Sequence, residues 1–473
     1  MTALVAGVTL IAVPAGAVPG SGGEKDGPSA KRPAGVPPMV DINNDGYGDS
    51  IISAPWASAN GKERAGYVAI VYGSAKGADP GHRQIIHRDL DGIEGEIGES
   101  GYFGKRTVAR DFDGDGFTDV AVQSSASGNN QPTILWGGED GITSGSQIDG
   151  AHRTWGAFMT AGDFDGDGNV DLVARNLDLD GGQFRVLYGP FDREGKPRRG
   201  EVPDFSKDKS IKDVVAGDVN GDGRDDLFTM HNNESLPGHT YFWKGGADGL
   251  SVPEKHFDKA VHGTVGDVDG DGYGDLVVRL SPHSLADLPS DPGRIKVLYG
   301  SKDGPGERST TIDQDTPGVP GTSETSDQFG TALTAGDVNG DGYADIGVGV
   351  PGEGLDKEKE YTGAVVLLKG SKGGLSGTGS QAFHQDTPGV PGVAEWGDHF
   401  GTDVTLRDTD GDGLDDLAIG APREDHEEDS TGAAWVLRGS GGGLTPDGVV
   451  SFWPALLGMP QEKYAQFGIV TGD

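Results

Sequence analysis

Short apolar runs separated by turn residues make up most of the chain beyond residue 39. Runs such as YVAIVYGS, QFRVLYGP and AAWVLRGS end in glycine followed by a small residue or proline, whereas DLVVRL and DLAIGAP begin with aspartate. Apolar runs this short, bounded by glycine, proline and aspartate, predict β-strands. Since no convincing helical periodicity interrupts them, the pattern predicts an all-β fold.

The runs group into units that recur seven times, at intervals of 49 to 71 residues. In each unit one strand precedes an acidic turn, a second follows it, a third ends in glycine, and a weaker fourth, such as RQIIHRD or SQAFHQD, completes the unit. Four-stranded units are too small to bury their own faces and must stack, and radial closure protects their edges. We therefore predict a seven-bladed β-propeller of four-stranded antiparallel blades over residues 40–473.

The two ends of this region complement each other. The first acidic turn, at Asp41, has no Phe-Gly strand ahead of it, and the segment AQFGIVTGD carries a Phe467-Gly468 strand with no acidic turn behind it. Pairing one end with the other removes an unpaired strand edge. We therefore expect the C-terminal strand to complete the first blade and close the ring.

Each acidic turn has oxygen-bearing side chains at its positions 1, 3, 5 and 9 and glycine at position 6. Two carboxylates about 4 Å apart repel by about 4 kcal/mol at an effective dielectric constant of about 20, so the cluster needs a cation at its centre. Hard dications take oxygen ligands, and a glycine with positive φ permits the sharp turn around them. Position 7 varies freely, as a backbone-carbonyl donor can. The spacing predicts up to seven structural Ca²⁺ ions.

The predicted ligands follow one order in every turn, with the fourth residue of each set acting through its backbone carbonyl. They are Asp41, Asn43, Asp45, Tyr47 and Asp49; Asp111, Asp113, Asp115, Phe117 and Asp119; Asp163, Asp165, Asp167, Asn169 and Asp171; Asp218, Asn220, Asp222, Arg224 and Asp226; Asp267, Asp269, Asp271, Tyr273 and Asp275; Asp337, Asn339, Asp341, Tyr343 and Asp345; and Asp408, Asp410, Asp412, Leu414 and Asp416.

Two other interpretations of the acidic turns compete with calcium binding. An EF-hand needs a bidentate glutamate at position 12 between two helices, but here that position is mostly apolar and lies in a strand-like run, as at Ile52 and Val122. Stretches rich in aspartate, asparagine and glycine also form ordinary turns without an ion. Seven copies in one register argue against that simpler interpretation.

Composition narrows the choice of partners. The chain has a formal net charge of −37 at pH 7, so nucleic acid and anionic membrane surfaces are unsuitable partners. It contains no cysteine, so rigidity in an oxidising compartment must come from packing and metal rather than disulfides. We expect a monomer.

The N-terminal residues predict export from the cell. An apolar run from Ala3 to Val13 precedes the small-x-small pattern at Ala15 and Ala17, so residues 1–17 are interpreted as a signal-peptide-like segment. It lacks a positive n-region, which leaves open an upstream start, an atypical signal or a disordered apolar tail. Residues 18–39, rich in glycine, proline and serine, predict a flexible linker. No later stretch is long and apolar enough to span a membrane, so we predict a secreted or extracellular protein, either free or associated with the cell surface.

The combination of Phe-Gly, then Asp-x-Asp/Asn-x-Asp-Gly-x-x-Asp, then Gly-Ala-Pro resembles the FG-GAP (VCBS-type) repeat. All of residues 40–473 is similar to the seven-bladed propeller of integrin α subunits and their secreted bacterial relatives. The resemblance implies calcium in loops on one face and partner contacts through the opposite face. Blades three to five lack the Phe-Gly pair at 155–158, 212–215 and 261–264. No D-x-S-x-S metal site or inserted domain is visible, so integrin-type ligand chemistry is not assumed.

Four contiguous blades, five to seven and one, have longer connections than the others. The additions lie before Phe-Gly, at 89–104, 314–330 and 385–401, and after the second strand. The octapeptide QDTPGVPG occurs twice, and Trp396 follows one copy. We predict that these loops lie opposite the calcium turns and form an acidic half-face that binds an unknown protein or glycan. The alternative is a duplicated loop that merely caps the blades.

The sequence contains no G-x-S-x-G elbow, no P-loop and no H-E-x-x-H motif, so no catalytic motif of these kinds is present. His426 in EDHEED is interpreted as a solvated loop residue rather than a base. Adhesion or ligand binding is therefore the leading hypothesis. An extracellular propeller enzyme, a hydrolase or lyase acting on polysaccharide, and a purely structural envelope protein remain alternatives.

Overall fold

A computed structural model describes residues 33–34, 39–124, 131–151, 158–175, 184–204, 211–233, 236–253, 256–282, 284–425 and 430–470. The signal-peptide-like segment 1–17, most of the predicted linker 18–39, residues 155–157 and His426 lie outside these ranges. The described residues contain one helix, the 3₁₀ helix Leu285–Ser290, and none that is long and apolar enough to cross a membrane.

Seven sheets of four antiparallel strands confirm the predicted architecture. Blade 1 contains β1 (Ser50–Ala54), β2 (Tyr67–Val71) and β3 (Arg83–Ile86); blade 2 contains β4 (Arg106–Arg110), β5 (Asp119–Gln123), β6 (Thr133–Trp136) and β7 (Ser144–Gln147); blade 3 contains β8 (Met159–Gly162), β9 (Asp171–Arg175), β10 (Phe184–Phe191) and β11 (Pro197–Glu201).

Blades 4 to 7 continue in the same order. Blade 4 contains β12 (Ile211–Gly217), β13 (Asp226–Asn233), β14 (Leu236–Trp243) and β15 (His256–Phe257); blade 5 contains β16 (Ala260–Gly266), β17 (Asp275–Leu280), β18 (Ile295–Leu298) and β19 (Ser309–Ile312); blade 6 contains β20 (Leu333–Gly336), β21 (Asp345–Val350), β22 (Ala364–Leu368) and β23 (Gln381–Phe383); blade 7 contains β24 (Asp403–Arg407), β25 (Asp416–Ala421), β26 (Ala433–Arg438) and β27 (Thr445–Phe452).

The last strand, β28 (Ile469–Val470), belongs to blade 1. It pairs antiparallel with β1, with Ile52 opposite Val470 and Ser53 opposite Ile469. The predicted closure of the ring by the C-terminal strand is therefore confirmed.

The apolar cores lie between neighbouring blades. One cluster joins blades 7 and 1, where Val436 and Phe452 pack with Ile52, Ala69 and Phe467. Equivalent clusters fill the other six blade interfaces. Because each sheet buries its two faces against its neighbours, a single unit could not hold its own core, which is why the units close into a ring.

The Phe-Gly pair lies ahead of the first strand of its blade. The sequence predicted instead that the pair opens that strand. Phe400 is fully buried, and its N–H donates to the carbonyl of Thr362 in the preceding blade at 2.9 Å. Its carbonyl lies so close to Gly363 that a Cβ there would be 2.2 Å away. We call this arrangement the Phe-Gly junction; it recurs through Phe103, Phe329 and Phe467. The pair therefore links one blade to the next.

Candidate metal centres and the opposite face

The position-9 aspartates connect each acidic turn to the third strand of its own blade. In blade 2, Asp119 accepts hydrogen bonds from Phe112 N–H at 2.9 Å and from Gly137 N–H at 2.8 Å. The same two bonds form in every blade, and the donating glycines are Gly73, Gly137, Gly189, Gly245, Gly300, Gly370 and Gly439.

The sequence by itself indicates only that these third-strand glycines form turns. A Cβ on Gly137 would lie 2.3 Å from the carbonyl oxygen of Thr118, so a larger residue cannot approach the acidic turn as closely. The occurrence of glycine at this point in all seven units was the signal that could have revealed the contact.

The position-1 aspartates hold the turns in shape. Asp111 accepts hydrogen bonds from the N–H groups of Gly114, Asp115 and Gly116, at 2.7, 3.2 and 2.9 Å. Gly116 has a φ of +92°, and the six equivalent glycines also have positive φ. The expected left-handed turn is therefore present in every blade.

Carboxylates of the same acidic turn lie close enough together to share a cation. In four turns, three carboxylates bring one oxygen each within 4.8 Å of one another: Asp111, Asp113 and Asp115; Asp163, Asp165 and Asp171; Asp267, Asp269 and Asp271; and Asp408, Asp410 and Asp412. In the turns of blades 1, 4 and 6, position 3 is an asparagine, whose amide oxygen can also bind a hard cation.

These residues fit a bound dication. Oδ1 of Asp165 and Oδ1 of Asp269 are buried and have no hydrogen-bond partner in the described part of the chain. A buried carboxylate oxygen without a donor is costly unless a cation meets it. The all-oxygen donor set matches Ca²⁺ rather than a transition metal.

The pKa values of the position-9 aspartates are also consistent with a bound cation. Burial raises the pKa of Asp49 and of Asp119 to about 8, and neighbouring aspartates of the same turn add to the effect. Burial also raises the pKa of the other position-9 aspartates, Asp171, Asp226, Asp275, Asp345 and Asp416, to about 7. A dication at the centre would favour the ionised forms and oppose these shifts.

Basic side chains lie against five of the seven turns. Arg193, from blade 3, reaches across to Asp113 and Asp115 of blade 2, at 2.5 Å from each. Within their own blades, Arg198 pairs with Asp165, Lys244 with Asp222, Arg308 with Asp269 and Arg438 with Asp410. Among the described residues, no lysine or arginine pairs with the turns of blades 1 and 6. The seven turns therefore differ in local charge, which their shared spacing did not reveal.

The long loops lie on the face opposite the acidic turns. In an antiparallel blade the first and third connections leave one face, and the second connection and the link to the next blade leave the other. The first connection holds the acidic turn, and the third starts at the glycine that contacts it, as at Asp345 and Gly370. The loops 314–330 and 385–401 follow fourth strands and belong to the other face.

A charged cluster occupies the inner ends of the blades near the ring axis. Arg106 pairs with Asp213 at 3.1 Å, and His262 Nδ1 lies 2.6 Å from the other oxygen of the same carboxylate. Burial alone would raise the pKa of Asp213, but Arg106 and His262 outweigh it and hold that pKa below its usual range. The adjoining cavity, lined in part by Arg106 and His262, measures about 50 Å³. A volume of this size accommodates a few water molecules.

Comparison with known proteins gives the following matches. The model of the FG-GAP repeat matches residues 329–368 and 400–437, and that of the FG-GAP-like repeat matches 111–174 and 267–348. Phosphatidylinositol-glycan-specific phospholipase D of Mus musculus is 30% identical over 206 residues, which are 40% of this chain and 22% of that protein. Integrin alpha-PS3 of Drosophila melanogaster is 36% identical over 159 residues, 33% of this chain and 13% of that one.

A crystal structure of a mutant of AofleA from Arthrobotrys oligospora aligns with 76% of this chain and 92% of its own, at 13% identity and a TM-score of 0.39. The chain spans about a fifth of the length of the phospholipase relatives and about an eighth of the integrin.

Proposed function

Because the chain is built from FG-GAP repeats that close into a seven-bladed β-propeller, we propose that it is a calcium-stabilised extracellular binding protein. Calcium occupies the acidic turns on one face, and an adhesion partner or other ligand binds the loops of the opposite face. The observation that carries the proposal is the separation of the two features, with every acidic turn on one face and the long loops on the other.

Calcium has a structural role in this proposal. The turns join the first strand of each blade to the second and are tied by position 9 to the third, so an ion there fixes three strands together. Extracellular calcium modules bind at about 10⁻⁴ to 10⁻³ M, which suits a protein outside the cell. The apolar, signal-peptide-like N-terminal segment supports the same location.

Chelation tests the calcium assignment. We expect EDTA to lower the melting temperature by several degrees and calcium to restore it, with magnesium a poor substitute because it demands a smaller octahedral site. Asp115→Ala should remove one bound ion by native mass spectrometry, and the control Phe117→Ala should keep all ions because position 7 offers only its backbone carbonyl. Identical melting with EDTA and with calcium would reject a structural role for the ion.

The absence of native cysteine permits a clean test of the binding face. Glu358→Cys places a unique thiol in the exposed loop after β21, and Lys372→Cys places one in the exposed loop after β22 of the same blade, on the calcium face. We would couple polyethylene glycol to each and measure binding to cultured cells and immobilised extracellular matrix. Binding should be lost with the label at position 358 and retained with the label at 372. The reverse result would contradict the proposed face.

A further inference from the structure

A cleft lies on the face opposite the acidic turns. It crosses the junction between blades 6 and 7 and the junction between blades 7 and 1. Its volume is about 610 Å³, within the usual range for small-ligand sites. Its walls include Tyr361 from blade 6, Trp396 and His399 from the link to blade 7, Arg423 from blade 7, and Tyr464 from the closing segment.

Aromatic rings on this cleft are unusually exposed. Trp396 is 68% exposed and Tyr464 is 57% exposed. The ring of Tyr361 lies 6.4 Å from that of Trp396, at an interplanar angle of 88°. Two perpendicular rings form a corner that leaves the indole able to cover a flat ligand. Exposing this much apolar surface is unfavourable without an occupant.

The repeat itself shows that Trp396 is not needed for folding. The loop 314–330 is the second copy of the QDTPGVPG loop, and Thr325 occupies the position of Trp396. Both copies form the same internal bonds: Glu395 N–H to Asp398 at 2.6 Å and Ala394 N–H to Asp386 at 3.0 Å in one, and Glu324 N–H to Asp327 at 2.5 Å and Ser323 N–H to Asp315 at 3.1 Å in the other. The loop therefore folds with threonine there, and the tryptophan serves another purpose.

The polar groups of the cleft suit a ligand without net charge. Arg423 donates to His399 Nε2 at 3.1 Å, and burial and the neighbouring arginine lower the pKa of His399 to about 4, so this imidazole is neutral. Asp425 balances the charge of Arg423 within the same lining. Gln328 and Ser430 add uncharged groups that can donate and accept hydrogen bonds.

We propose that this cleft binds a neutral saccharide, with one sugar face on Trp396 and its hydroxyl groups on Arg423 and Asp425. A sugar ring combines an apolar C–H face with an edge of hydroxyl groups, which matches an aromatic platform bordered by planar polar side chains. The inference rests on the proposed function, because it names the ligand class for the binding face described above.

The test uses the calcium-loaded full chain on arrays of printed neutral and acidic oligosaccharides and on an array of printed peptides. Trp396→Thr introduces the residue that the sister loop already carries, and Val393→Thr is the matched control. Val393 is 59% exposed in the same loop, and its counterpart in the sister loop is also threonine, Thr322. Melting curves of both variants should match the unmodified protein.

We expect binding to neutral oligosaccharides that Trp396→Thr weakens by about tenfold to a hundredfold, the range found when a ring stacked on a flat ligand is removed. Val393→Thr should change it by less than about twofold. No binding to any printed saccharide, or binding only to acidic ones, would overturn the proposal. So would saccharide binding that Trp396→Thr leaves unchanged.

The outcomes separate this inference from the function on which it rests. Peptide binding that depends on Trp396 would overturn the saccharide class and leave the binding face standing. Saccharide binding that is independent of Trp396 but blocked by polyethylene glycol at position 358 would move the site elsewhere on that face. Binding blocked only by the label at position 372 would overturn both.

Discussion

The ring joins its blades in two ways. At the junctions of blades 5–6, 6–7, 7–1 and 1–2, a buried phenylalanine of the Phe-Gly junction donates its N–H to the preceding blade: Phe329 to Pro292 at 2.8 Å, Phe400 to Thr362 at 2.9 Å, Phe467 to Thr431 at 3.0 Å and Phe103 to Ala65 at 2.9 Å. The sequence at the three remaining junctions lacks Phe-Gly.

Blade 4, which lies between two of those junctions, has long central strands. β13 and β14 have eight residues each, against five each for β1 and β2. Phe184 packs edge-on against Trp243 across blades 3 and 4, with ring centroids 5.0 Å apart. The contrast shows that packing of large side chains can join neighbouring sheets without the backbone contact that requires glycine.

The largest expected effect comes from removing the junction that closes the ring. Deleting residues 467–473 removes Phe467 and β28, so blade 1 loses its fourth strand and the core between blades 7 and 1 is opened. We expect a loss of more than about 4 kcal/mol in the free energy of unfolding, measured by denaturant titration. Deleting only residues 471–473 is the control and should have little effect. An unchanged denaturation midpoint for the longer deletion would mean that the ring does not depend on this strand.

An intermediate effect is expected from a single methyl group at the same junction. Gly432 has a φ of +84°, and a Cβ there would lie 1.9 Å from the carbonyl oxygen of Phe467. Gly432→Ala should therefore destabilise the protein by about 3 kcal/mol or more. Gly61 has a φ of +74° but open space around it, so Gly61→Ala should cost only about 1 kcal/mol, from the backbone strain alone. Equal effects would show that the close contact contributes nothing.

The smallest expected effect is a dependence of stability on pH to which Glu424 and Asp213 contribute with opposite signs. On the Phe-Gly side, burial raises the pKa of Glu424, which accepts a hydrogen bond from Gln385, to about 8. Its folded-state pKa exceeds the unfolded one, so its contribution is present below about pH 4.5 and is lost as the pH rises toward 8. Asp213, on the other side, has a lowered pKa, so its contribution is present above the unfolded value and is lost in acid.

Glu424→Gln isolates the first of these contributions. The substitution removes the group that titrates and should flatten the dependence of stability on pH between about 5 and 8. Glu353→Gln, at the equivalent position beside Gln314, is the matched variant and should act in the same direction. Denaturant titrations at several pH values, all with calcium present, provide the measurement. A steeper dependence in Glu424→Gln would contradict the assignment.

Much of this molecule is encoded locally and could be predicted. The period of the strands gave the number of blades, and the spacing of Asp111, Asp113 and Asp115 gave the close approach of their carboxylates, because each depends on residues close together in the chain. The ring closure by Phe467 was also accessible, since an unpaired unit at one end matched an unpaired strand at the other.

Contacts between distant residues could not be predicted in the same way. The approach of Arg193 to Asp113, the pairing of Arg106 with Asp213, and the meeting of Trp396 with Arg423 and Tyr464 each join different blades or separate loops. Nothing in their local sequence specifies the partner. The Phe-Gly pair shows the difference between local and distant information. The pair itself is evident in the sequence, but its role in linking two blades is visible only in the folded structure.

The sequence by itself therefore determined the strands, their grouping into seven units and the oxygen-bearing side chains of each turn, because these follow from short-range periodicity and side-chain chemistry. Only the tertiary structure decided which basic groups meet the turns and which loops combine into one cleft. Those features depend on how the closed ring brings separate blades together. They also depend on the shapes and charges of the side chains that meet at the junctions between blades.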